Sequence, residues 1–154
     1  MQTKIAKRFT MADVVLDANV LVGYFDQSDN LHKQALAVFE QLEATGNTPL
    51  MLDFLVAEAV SVVCRRTMQR KTNRPDLDAI IVKVKSLFER GDIEFLNQDV
   101  EGRFVKVLDV VQQSAGALNF HDATLLVLQQ DGVIDAVATF DEALANHPGF
   151  RAWA

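Results

Sequence analysis

Val14-Val15-Leu16-Asp17-Ala18-Asn19-Val20-Leu21-Val22 is the stretch whose reading decides the fold. The β-branched and aliphatic run before Asp17 predicts a fully buried strand over Val14–Leu16, of the kind found in parallel sheets. A carboxylate then interrupts otherwise apolar sequence. A charge among apolar residues is costly unless it is paired, protonated or bound to metal, so Asp17 calls for an explanation.

Outward from that strand, short apolar runs alternate with helix-spaced segments. Val20–Phe25 reads as a short helix or turn, and Asp26–Asn30 as a polar break rich in N-caps. Helices are expected over Leu31–Glu43, Phe54–Arg70 (capped by Asp53), Leu77–Glu89, Asp99–Ser114, Phe120–Gln130 and Glu142–Asn146. Strands are expected over Pro49–Leu52, Ile93–Leu96 and Ala136–Phe140, with a further one over Phe150–Trp153. This alternation implies an α/β fold, a parallel sheet with helices on its faces.

Composition narrows the functional classes. The 154 residues fit one domain, with 49% hydrophobic and 23% charged residues, as in ordinary globular proteins. Fifteen basic against 21 acidic residues give a net charge of −6, which argues against coating nucleic acid by bulk charge. A single cysteine permits no internal disulfide and suits a reducing, cytoplasmic setting. Cys64, in an apolar run, reads as a small core residue. No apolar run is long enough to span a membrane, and no signal-type apolar region follows Lys4, Lys7 and Arg8. Residues 1–12 read as an N-terminal extension and residues 13–154 as the domain.

Three further carboxylates share the surroundings of Asp17. Glu58 is the only charge in Phe54–Cys64, Asp122 sits within Leu118–Leu126, and Asp141 directly follows Ala136–Phe140. Asp17 and Asp141 fall at the C-terminal ends of expected strands, where open parallel sheets bind ligands. Glu58 lies early in the helix after the second strand, and Asp122 in the first turn of another helix. Each has a structural alternative: a helix cap for Asp17 or Asp141, a favourable dipole position for Asp122, a solvent stripe or ion pair for Glu58. Together they are harder to dismiss, because all four map to one end of the sheet. Four carboxylates meeting there would raise one another's pKa, and a hard divalent cation removes that conflict. Oxygen donors suit Mg²⁺ or Mn²⁺, and the chemistry that follows is phosphodiester hydrolysis.

The ordered set Leu16-Asp17-Ala18-Asn19, Glu58 in an apolar helix, His121-Asp122-Ala123 and Ala138-Thr139-Phe140-Asp141 resembles the PIN-domain nucleases. Within them it is most similar to VapC-type toxins of toxin–antitoxin pairs. The resemblance implies a three-layer α/β/α sandwich with a mostly parallel sheet. It also implies a Mg²⁺- or Mn²⁺-dependent endoribonuclease acting on RNA, often a homodimer and inhibited by an antitoxin protein. On it, Asp17, Glu58, Asp122 and Asp141 are the catalytic, metal-binding set, and Asn19 and Thr139 the polar positions supporting them. A catalytically silent PIN-like module that binds RNA or protein is the alternative.

Arg65, Arg66, Arg70 and Lys71, with Arg74 beyond, form the one basic concentration. They read as an RNA track leading to the metal or, with slight preference, as a solvated helix end with cations near its C-terminus. His121, beside Asp122, reads as a packing residue in preference to one that orders a water or contacts substrate, and the three histidines lack zinc-site spacing.

Overall fold

The structure, a computed structural model, describes Phe9 and residues 12–154. The N-terminal extension expected over residues 1–12 lies outside the described residues, apart from Phe9 and Ala12. Four strands form the sheet: β1 (Asp13–Leu16), β2 (Thr48–Leu52), β3 (Ile93–Glu94) and β4 (Val137–Ala138). Their spatial order is β3-β2-β1-β4, and every pairing among them is parallel. Register places Val15 opposite Leu50 on one side and opposite Val137 on the other. A parallel sheet needs long crossovers, and helices supply them. α1 (Ala18–Phe25) and α2 (His32–Ala44) lead to β2, while α3 (Asp53–Gln69) and α4 (Leu77–Glu89) lead to β3. α5 (Asn97–Glu101), α6 (Phe104–Gln113) and α7 (Phe120–Gln130) lead to β4, and α8 (Glu142–Ala145) follows it. This is the parallel sheet flanked by helices that the alternation implied, and it is consistent with the α/β sandwich that the resemblance implied.

β1 is central and carries the core. Val14, Val15 and Leu16 are each no more than 1% exposed, within a cluster that includes Val20, Leu21, Leu52, Leu55, Leu125 and Leu128. α7 is buried along most of its length, from Ala123 to Gln129. Gln129 is a polar side chain at 2% exposure. Its amide donates to the carbonyls of Asp135 and Arg151 and accepts from the Arg151 N–H, so the burial is fully compensated. No helix among the described residues is long and apolar enough to cross a membrane.

Several local expectations are corrected. The helix expected over Asp99–Ser114 is two, α5 and α6, parted at Gly102 and Arg103. Glycine is a poor helix former, and the Arg103 guanidinium takes the Asp99 carbonyl that a continuous helix would have paired with the Arg103 N–H. Asp53 is the first residue of α3 rather than its cap, and its carboxylate accepts the Leu96 N–H at 3.1 Å. The strand expected over Phe150–Trp153 is a single parallel bridge between Val137 and Ala152. β3 and β4 span two residues each, shorter than Ile93–Leu96 and Ala136–Phe140. Cys64 is exposed, since Ala59 and Val63 present the buried face of α3 and the next position turns away from it.

Candidate metal centre

After β1 the chain runs to β2 and β3 on one side, and β4 then returns on the other side of β1. The gap above β1 and β4 is therefore a topological switch point, the place where parallel sheets leave a crevice. Asp17 ends β1 there and Asp141 follows β4. Each also caps the helix it introduces: Asp17 accepts the Ala18 N–H at 2.7 Å, and Asp141 accepts the Leu144 N–H at 3.2 Å. The capping alternative thus holds for both, alongside their placement at the crevice.

A polar relay ties the two strand ends together. Thr139 donates its hydroxyl to Asp17 Oδ2 at 2.7 Å, and accepts from Asn19 Nδ2 at 3.2 Å and from the Asp141 N–H at 3.0 Å. Asn19 Oδ1 accepts the Phe140 N–H at 3.1 Å. Asn19 and Thr139 therefore fix the acidic positions through hydrogen bonds.

α3 and α7 bring in the remaining acids. Glu58 projects from α3. Asp122 lies in the first turn of α7, where Asn119 caps the helix by accepting the Asp122 N–H at 2.9 Å. One cavity of about 220 Å³ is lined by Asp17, Asn19, Glu58, Asp122 and Asp141, together with Asn119, Asp29 and Arg66. All four carboxylates picked out in the sequence thus face the same cavity, from four different elements.

The electrostatics follow from that gathering. Burial raises the Asp17 pKa, and the charges of Glu58 and Asp141 add to the rise, against the opposing bonds from Thr139 and Ala18. Asp122 is pushed up to about 6, chiefly by desolvation and then by the charges of Asp17 and Asp141. His121 is corrected from a packing residue to a partner of the site: its Nδ1 donates to Glu58 Oε2 at 2.9 Å, and that bond is the main cause of its raised pKa.

Oxygen donors and unrelieved like charge are the chemistry a hard divalent cation satisfies, and in this the residues fit one. Among the described residues, however, no three of His, Cys, Asp and Glu stand close enough to hold an ion as the side chains are placed. The acids line a shared cavity rather than meeting at a point.

The basic concentration divides. Arg66 lines the acidic cavity and bonds to Asp29 and Asp26, two carboxylates 8% and 1% exposed. Arg74 donates to the Thr67 carbonyl near the end of α3 at 2.6 Å. Arg70 lines an adjoining hollow with Arg66, Asp29 and Asn73, while Arg65 and Lys71 are exposed. The part Asp29 plays was not legible, because its partner lies 37 positions away in the chain.

A parallel sheet with an acid-lined crevice at its switch point places the chain among the open α/β folds that bind ligands beyond the carboxyl ends of their strands. The chain belongs to the PIN domain family, whose model matches residues 14–149. PIN domains are generally nucleases, and PIN nucleases typically use divalent metals. No curated protein and no solved structure gives a significant match.

Proposed function

We propose that this protein is a divalent-metal-dependent endoribonuclease of the VapC type, the toxin of a toxin–antitoxin pair, working in the cytoplasm. The observation that carries the reading is the single cavity lined by Asp17, Glu58, Asp122 and Asp141 at the switch point of the sheet. In it, these four would hold Mg²⁺ or Mn²⁺. A bound cation of this kind lowers the pKa of water and offsets charge developing on a transferring phosphate.

The chain's own residues do the rest. Thr139 and Asn19 hold Asp17 and the Asp141 backbone in fixed orientation, so binding begins from an ordered frame. His121 orients Glu58 through its Nδ1. Arg66 lines the cavity beside the acids and offers its guanidinium to a phosphate of the substrate backbone.

The test is incubation with single-stranded RNA in Mg²⁺, in Mn²⁺ and in chelator. Cleavage in metal alone, abolished by Asp17→Asn and by Asp122→Asn, supports the reading. No cleavage in either metal overturns it, and cleavage of DNA alone reassigns the substrate. RNA binding without cleavage would select the catalytically silent module. The toxin assignment predicts that expression halts growth, that Asp122→Asn restores it, and that a small neighbouring-gene protein blocks the wild type. The homodimer is tested by solution mass.

A further inference from the structure

A row of rings leads out of the acidic cavity. His121, bonded to Glu58, lies 5.6 Å from the Phe54 ring and 6.1 Å from the Phe120 ring. Phe120 lies 5.6 Å from Phe104. Phe104 is 50% exposed, although a ring of that size is ordinarily drawn inward. Phe54 and Phe104 together line a cleft of about 520 Å³, whose polar members include Asp53 and Glu101. The row therefore starts at a catalytic carboxylate and ends at an open aromatic face.

We infer that this row is a stacking platform for unpaired bases of the RNA on one side of the scissile phosphate, an inference that rests on the ribonuclease reading above. Every base has a flat face that an aromatic ring can cover, whatever the sequence. Bases in a duplex are already stacked, so the platform selects single-stranded RNA with a base splayed beside the cut. Charge assigns the direction. Asp53 and Glu101 repel phosphates, so this cleft takes base faces. The sugar–phosphate backbone continues on the opposite side, where Arg70 joins Arg66 and its partner Asp29 in lining the neighbouring hollow. Along α3, Phe54, Glu58, Val62 and Arg66 follow at four-residue spacing, about 18 Å from base-stacking end to cationic end.

The experiment compares kcat/KM for the wild type, Phe104→Ala, Phe104→Leu and Phe104→Trp. The substrates are a single-stranded RNA and the same strand made abasic next to the cut. Removing the ring lowers kcat/KM on the intact strand about fivefold to a hundredfold. Trp retains activity, Leu does not, and the gap between wild type and variant closes on the abasic strand. Leu keeps the apolar bulk, so it serves if Ala disturbs folding. An equal loss on both strands, or no loss, overturns the platform and leaves the ribonuclease reading standing. A changed solution mass with unchanged cleavage marks a surface for a second copy and also overturns it. Failure of the wild type to cleave any RNA in Mg²⁺ or Mn²⁺ removes the ribonuclease reading, and the platform with it.

Discussion

Thr139 Oγ1 donates to Asp17 Oδ2 at 2.7 Å across 122 positions of sequence. The same oxygen accepts from Asn19 Nδ2 and from the Asp141 N–H, so the hydroxyl's one donor and two acceptor sites are all engaged. One side chain thus joins the end of β1 to the end of β4 at the point where the acids gather.

Thr139→Val keeps the shape and removes every one of those bonds. Asp17, 6% exposed, loses a donor to its carboxylate, while the Asp141 N–H lies at an exposed position that water can reach. The expected cost is about 1–3 kcal/mol, read as a shift in urea midpoint at unchanged slope. Activity falls with it, and Thr139→Ser recovers both. A variant as stable as the wild type would mean that the relay contributes nothing to the fold.

The raised pKa values set the pH dependence of the metal-free protein. A carboxyl whose folded pKa lies above its unfolded value binds protons more readily in the folded state. Ionised Asp122 and Asp17 therefore weaken the fold at neutral pH; for Asp122 the weakening is relieved as pH falls through about 6 toward the unfolded value of 3.8, and the raised Asp17 acts in the same direction. Melting temperature in chelator should rise between pH 7.5 and 5, before general acid unfolding begins. Asp122→Asn should be the more stable protein at pH 7.5, by on the order of 1–2 kcal/mol after solvent screening, and should flatten the rise. A wild-type melt that falls steadily over that range would contradict the repulsion.

How much of this could be read beforehand differs by residue. Asp17 and Asp141 were legible because each ends an apolar run, the signal of a buried strand meeting a loop. Glu58 was legible as the lone charge in an apolar helix. The Glu58–His121 and Arg66–Asp29 pairs were not, since partners 63 and 37 positions apart leave no local pattern. The split of α5 from α6 turns on one side chain, Arg103, competing for a backbone carbonyl. Cys64 was misplaced because composition says that α3 is apolar, whereas the 3.6-residue period decides which face is covered.

Cation binding should register as stability independently of any cleavage. A ligand that binds only the folded state stabilises it by about 2.7 kcal/mol at a hundred times its Kd. Millimolar Mg²⁺ or Mn²⁺ should therefore raise the melting temperature of the wild type, more at pH 7.5 than at pH 5.5, where Asp122 is largely protonated. Asp17→Asn should lose most of the increment. An unchanged melt at millimolar metal would count against the cavity as a cation site.

Arg66 has two separable duties, and its variants distinguish them. It is the cation for Asp26 and Asp29, whose side chains are 1% and 8% exposed. Asp26 also accepts the Ser28 N–H and hydroxyl, and Asp29 the Leu31 N–H, so both carboxylates are held in place from more than one side. Arg66→Ala strands two nearly buried charges, at an expected cost of roughly 3 kcal/mol. Replacing Asp29 by Asn in the same chain should recover part of that loss, because the pair is coupled. Arg66→Lys keeps the charge without the fork and should restore most of the stability. If Arg66 also grips the RNA backbone, the Lys variant should still show a raised KM, because the fork to phosphate is lost while the charge, and with it the salt dependence of binding, is kept. A Lys variant with wild-type KM would confine Arg66 to holding α3 against the loop between α1 and α2.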